Sequence, residues 1–170
     1  MRKGKAGRRW YVDETYVKVK GKWSHLYRAI DRDGNLVDSM LSATRDMAAA
    51  LRLFRGALSV VDTPPRQVTT DGPDSYPRAI REVLGGKVEH RCSAYLNRRI
   101  EQDHRVVKQR YYPMLSFGAF HSAERFCRAF EEVRQYFCPR CKRKQFVSLA
   151  RSRQQFVARA EALQLMFLAG

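Results

Sequence analysis

Residues 10–19 read Trp10-Tyr11-Val12-Asp13-Glu14-Thr15-Tyr16-Val17-Lys18-Val19. This run is rich in β-branched and aromatic side chains, the composition of a strand. Lys20-Gly21-Lys22 makes a turn, and Trp23–Ile30 reads as a second strand. Asp31-Arg32-Asp33-Gly34-Asn35 carries the Asp-Gly hairpin signal, and 36–42 supplies a third strand. The chain therefore opens as an antiparallel meander. Beyond it the period changes. Met47, Ala50, Leu51, Phe54, Leu58 and Val61 mark one face of a helix that Pro64-Pro65 stops. A short strand, Gln67-Val68-Thr69-Thr70, ends at Asp71-Gly72, and a helix follows over about 74–84. Lys87–His90 suits a fifth strand, and helical patterns occupy 97–110, about 119–137 and about 145–168. Three antiparallel strands, then helix, strand, helix, strand and more helices predict an α/β fold of the ribonuclease H-like order. That means a mixed sheet of about five strands flanked by helices, with a C-terminal helical extension.

The chain is 170 residues long, with 33 Lys plus Arg against 17 Asp plus Glu, a net charge of +16. Apolar residues make up 44%, which excludes a disordered basic tail and suits a domain with a real core. An excess of this size points to a polyanion partner, nucleic acid or an anionic membrane. No run approaches a spanning helix, and the basic start meets Trp10 with no apolar signal region. Residues 1–9 hold five basic side chains and two glycines and read as a flexible basic arm. The expected organisation is this arm, a catalytic core over 10–115 and a basic helical extension over 116–170. Cys92, Cys127, Cys138 and Cys141 do not make a disulfide framework in a chain of this size.

In so basic a protein the few acids are informative. Asp13 lies in the first strand, Asp71 closes the fourth, and Glu101 sits on a later helix. First and fourth strands are neighbours in a ribonuclease H-like sheet, so Asp13 and Asp71 meet at their ends and a packed helix brings Glu101. Such hard oxygen donors suit Mg²⁺ or Mn²⁺. Two ions about 3.5–4 Å apart activate the attacking and stabilise the leaving oxygen in phosphodiester chemistry. Glu101, Arg105 and Lys108 share a helix face, so the acid is placed for metal and the cations for phosphate. Asp103 lies about 200° round the same helix and is a poor second ligand. Taken singly, an Asp in a strand, an Asp-Gly turn and a Glu on a helix are each ordinary.

The residues also carry a resemblance. Trp10–Gly21, Leu26-Tyr27-Arg28-Ala29-Ile30-Asp31, Arg45-Asp46 and Ala49-Ala50 look like the catalytic domain of bacterial DDE transposases of the insertion-sequence-six family. Val68-Thr69-Thr70-Asp71-Gly72, Ser75-Tyr76 and His90-Arg91 continue it. Tyr95-Leu96-Asn97 and Ile100–Arg110 are its most specific part, and Pro113-Met114, Phe117, Ser122-Ala123 and Arg125 complete it. The resemblance implies that Asp13, Asp71 and Glu101 form the catalytic, metal-holding triad, with Lys108 the basic residue seven after the glutamate. It implies two divalent ions, Mg²⁺ or Mn²⁺, and cleavage and strand transfer at insertion-sequence ends. Water first frees a 3′ hydroxyl, which then attacks target DNA. Arg105, Lys108 and Arg110 are the expected DNA contacts, the expected partner is DNA held by a homodimer, and the expected setting is the bacterial cytoplasm, near the nucleoid. Family members carry a helical DNA-binding segment ahead of this domain, which nine residues cannot supply, so a truncated transposase is expected. A nuclease without strand transfer and a non-catalytic DNA-binding remnant are the alternatives.

Other features have plainer readings. Cys138-x-x-Cys141 invites zinc but has no second pair at the required spacing. His104, three residues after Glu101, suits either the site or packing beside Ile100 and Val107. Trp10, Trp23 and the phenylalanines at 117, 120, 126, 130 and 137 are expected in the core rather than stacked on bases. Residues 133–160 hold eight Lys or Arg and no acid, a phosphate-contacting surface.

Overall fold

A computed structural model of the chain describes residues 6–72, 75–93, 98–137 and 147–168. Strands β1 (Arg9–Val19), β2 (Lys22–Asp31) and β3 (Leu36–Ser42) form the meander. Helix α1 (Met47–Val60), β4 (Gln67–Thr70), α2 (Ser75–Val83) and β5 (Glu89–Cys92) follow, then α3 (Arg98–Tyr111), a short 3₁₀ turn at Tyr112–Met114, α4 (Phe120–Phe137) and α5 (Leu149–Leu168). The sheet order is β3-β2-β1-β4-β5, with the first three strands antiparallel and β4 and β5 parallel to β1. The crossover through α1 thus lays β4 beside β1, as the ribonuclease H-like order requires.

Local chemistry explains the turns and starts. The Asp31 carboxylate accepts hydrogen bonds from the backbone N–H of Asp33 and Asn35, fixing the hairpin in which Gly34 takes φ +84°. Asp46 caps α1 by accepting from Ala49 N–H at 2.8 Å.

Strand alternation gives two cores. Trp10 and Val12 of β1 with Tyr27 and Ala29 of β2 face α1 and α2, packing on Leu53, Phe54, Tyr76 and Ile80. Val17 and Val19 with Leu26 face α3 and α4, packing on Val107, Tyr111, Phe117 and Ala123. Helix α3 turns Ile100, His104, Val107 and Tyr111 inward, the i, i+4, i+7 and i+11 stripe of a half-buried helix. α5 buries no residue among those described, although Phe156 meets Phe137 of α4 with ring centroids 4.8 Å apart.

Two expectations need correction. Trp10 is buried, but Trp23 is 58% exposed and is not core. It starts β2, where the sheet runs beyond the cover of α1 and α2. Arg134, counted in the basic 133–160 stretch, turns inward to pair with Asp103. Cys138 and Cys141 lie outside the described residues, as do most of residues 1–9. No described helix is long and apolar enough to cross a membrane.

Candidate active site

The parallel register of β1 and β4 runs from Arg9↔Gln67 to Tyr11↔Thr69. Two residues further along, Asp13 and Asp71 stand side by side where the strands part. Gly72 then turns the chain away with φ +110°. That φ is one that L side chains rarely adopt, and a Cβ there would also stand 2.5 Å from the Cys92 Sγ of β5, so the position calls for glycine. Carboxylate oxygens of Asp13, Glu14 and Asp71 all lie within 4.8 Å of one another.

Glu14 is the member that sequence reasoning missed. Asp13 faces α3, while Glu14 faces α2, where it accepts a hydrogen bond from the buried Tyr76 hydroxyl and pairs with Arg45. Both of its partners, in Arg45-Asp46 and Ser75-Tyr76, were among the motif residues, which was the available signal. With Glu14 so engaged, the open donors of the cluster are those of Asp13 and the exposed Asp71.

Asp13 carries the electrostatic cost of this arrangement. Its side chain is 13% exposed, and Oδ1 accepts the Glu14 backbone N–H at 2.8 Å. Burial first, then the charge of Asp71, pushes its pKa from 3.8 up to about 7, with smaller upward contributions from Glu14 and Glu101. Glu101 itself lies on the exposed side of α3, outside the 4.8 Å cluster yet near enough for its charge to reach Asp13. Arg105 and Arg110 are exposed and Lys108 half-exposed on that helix.

His104 joins both of its expected readings. It is 4% exposed, part of the buried stripe, and its Nδ1 stands 3.9 Å from Asp13 Oδ2, beyond hydrogen-bond range. Burial, with the Arg28 and Lys108 charges, pulls its pKa down to about 3, so the ring is neutral. Asp103 points away from the cluster, as its place on the helix required. It pairs with Arg28 of β2 and Arg134 of α4, and Glu131 of α4 joins Arg28 at 2.7 Å. This network pins α3, and with it Glu101, to the sheet.

The donor set is oxygen alone and carries more negative charge than Arg45 offsets. That chemistry fits a hard divalent cation held between Asp13 and Asp71.

A family model described as a DDE domain matches residues 7–138. The transposase for insertion sequence-like element IS431mec of Staphylococcus aureus is 38% identical over 109 residues, covering 62% of this chain and 49% of that protein. The transposase for insertion sequence element IS257 in transposon Tn4003, also from Staphylococcus aureus, matches to the same extent. The chain spans about half the length of these curated relatives. Among solved structures, the HTLV-2 integrase catalytic core domain in complex with magnesium (trimeric form) superposes with a TM-score of 0.50 and 16% identity. That match covers 64% of this chain and 71% of the integrase. The simian T-cell lymphotropic virus intasome in complex with PP2A regulatory subunit B56 gamma gives 0.52 and 15%, covering 64% and 41%. At such identities the likeness is one of fold, the integrase catalytic core of ribonuclease H-like type. The chain belongs to the DDE domain family, as a transposase catalytic domain of the insertion-sequence-six group.

Proposed function

We propose that this domain cleaves DNA at insertion-sequence ends and joins the freed 3′ hydroxyl to target DNA, using divalent cations held by Asp13, Asp71 and Glu101. The observation that carries the reading is the juxtaposition of Asp13 and Asp71 at the parting ends of two parallel strands, with their charge incompletely offset. When bound, Mg²⁺ or Mn²⁺ supplies activation of the attacking oxygen and stabilisation of the leaving oxygen, two ions being the expected number.

The chain's own residues do the rest. Asp13 and Asp71 present fixed oxygens from the sheet, and Glu101 presents a third from α3. Glu14, held by Tyr76 and Arg45, adds negative potential without offering a free oxygen. Neutral His104 lies buried beside Asp13, its Nδ1 3.9 Å from Oδ2. Arg105, Lys108 and Arg110 face outward to hold phosphate along the helix that carries Glu101. A homodimer that pairs two DNA ends is part of the same proposal.

The test supplies pre-cleaved element-end DNA, target plasmid and Mg²⁺ or Mn²⁺ to the wild type and to Asp71→Asn. Joined products that vanish in the variant support the proposal. Nicking without joining would make the domain a nuclease, and binding without either would make it a DNA-binding remnant.

A further inference from the structure

Trp23 is anomalous for a sheet residue in a well-packed domain, and it is not alone. Tyr16 is 48% exposed, Trp23 58% and Tyr112 58%, and with Lys108 they line one cavity of about 320 Å³. Tyr16 and Trp23 come from β1 and β2 and meet edge to face, with centroids 6.2 Å apart. Tyr112 comes from the turn that ends α3. Rings presented by three separate elements around one hollow, all wet, call for an occupant.

The surroundings of the hollow favour one occupant. Lys108 is seven residues from Glu101 on the same helix face, about 10.5 Å along the axis at 1.5 Å per residue. The hollow therefore continues the face proposed to hold DNA phosphate. Its surroundings are cationic: Lys18 holds its ammonium 5.8 Å from the Trp23 ring centre, and Lys20 and Lys22 are exposed in the adjoining turn. Among the described residues β4 pairs with β1 at Arg9–Tyr11, and the 117 segment bonds at Lys18 and at Lys20, just past the end of β1. Among the described residues no strand pairs with β1 between those points, so beside Tyr16 the strand has no strand neighbour on that side. A volume of this size takes a single flat ring system rather than a helix. Aromatic faces beside cations are how proteins hold unpaired bases, because a base within a duplex has its faces occupied by its neighbours.

We infer that Tyr16, Trp23, Tyr112 and Lys108 form a stacking pocket for an unpaired nucleobase of the DNA strand lying in the active site, a reading that rests on the proposed DNA chemistry. The rings hold the base and Lys108 its phosphate. The pocket favours strand ends that fray or carry an overhang over blunt duplex.

Anisotropy titrations of the full chain test this with three labelled probes: a blunt duplex, the same duplex with a single-stranded overhang, and that overhang made abasic. Trp23→Ala and Tyr112→Ala should each weaken overhang binding about tenfold and leave blunt-duplex binding unchanged. Trp23→Phe should restore most of the loss. The abasic overhang should bind wild type as weakly as the normal overhang binds Trp23→Ala, and should not distinguish the two proteins. Both substituted rings are more than half exposed, so folding is spared, and circular dichroism checks it. Blunt-duplex binding with no dependence on Trp23 or on the overhang bases would overturn the pocket alone. Failure to bind any probe would overturn the DNA reading with it.

Discussion

Two groups of acids lie beside helix α3, and the chain treats them differently. In one, Asp103 and Glu131 face Arg28 and Arg134, two charges against two. Burial raises the Asp103 pKa, but the two guanidiniums outweigh it and hold the group below its ordinary range. In the other, Asp13, Glu14 and Asp71 meet, among the described residues, the one guanidinium of Arg45, and Asp13 is pushed up to about 7. Both groups use carboxylates beside the same sheet. The first completes its charge from within and serves as a clamp. The second is left short of positive charge, which is the condition for holding a cation from solution.

Breaking the clamp should have the largest effect. Arg28 is fully buried, and Arg28→Met leaves Asp103 and Glu131 with one guanidinium between them. The expected loss is about 3–5 kcal/mol of stability, or about 10 °C in melting temperature, read by thermal or urea unfolding. Asp71→Asn should do the opposite. It relieves repulsion on Asp13, so the metal-free melting temperature should hold or rise while strand joining falls by at least about a hundredfold.

A smaller effect concerns pH. Asp13 keeps its proton in the folded chain up to about pH 7, whereas the unfolded group loses it near 3.8. On its account metal-free stability falls as pH rises through that window. His104 works against it: folded, it stays neutral down to about 3, while unfolded it charges below 6.5, so its contribution is lost as pH falls. The two slopes oppose each other between about pH 4 and about pH 6.5. Asp13→Asn should remove one of them, and melts across pH should then show stability rising with pH where wild type is nearly flat. Mg²⁺ favours the Asp13 carboxylate, so stabilisation by Mg²⁺ should grow over the same range. Smallest is Lys108→Ala, which should reduce the log–log salt slope of duplex binding by about 0.9.

Much of this contrast was readable in residue order. The meander, the Pro64-Pro65 stop and the period of α1 gave the elements, and the crossover rule placed Asp71 beside Asp13. The 200° offset of Asp103 already set it apart from Glu101. Glu14 escaped because strand alternation puts neighbours on opposite faces, and both carboxylates approach Asp71 because the β1–β4 pairing ends at Tyr11, before either of them. The clamp escaped because its partners are 75 and 31 residues from Asp103, beyond any local pattern. Trp23 was misplaced because alternation tells which face a ring takes, not where the covering helices end. Tyr27, on the same face, is 1% exposed.

The central claim is that the Asp13–Asp71 pair is a divalent-cation site because the chain leaves its charge unbalanced. Mn²⁺ binding, followed by electron paramagnetic resonance on the full chain with a 3′-hydroxyl-ended duplex, tests it most directly. Wild type should bind Mn²⁺ that Mg²⁺ displaces, and Asp71→Asn should lose that binding while keeping its melting temperature. Undiminished Mn²⁺ binding in Asp71→Asn, or none in wild type, would contradict the account.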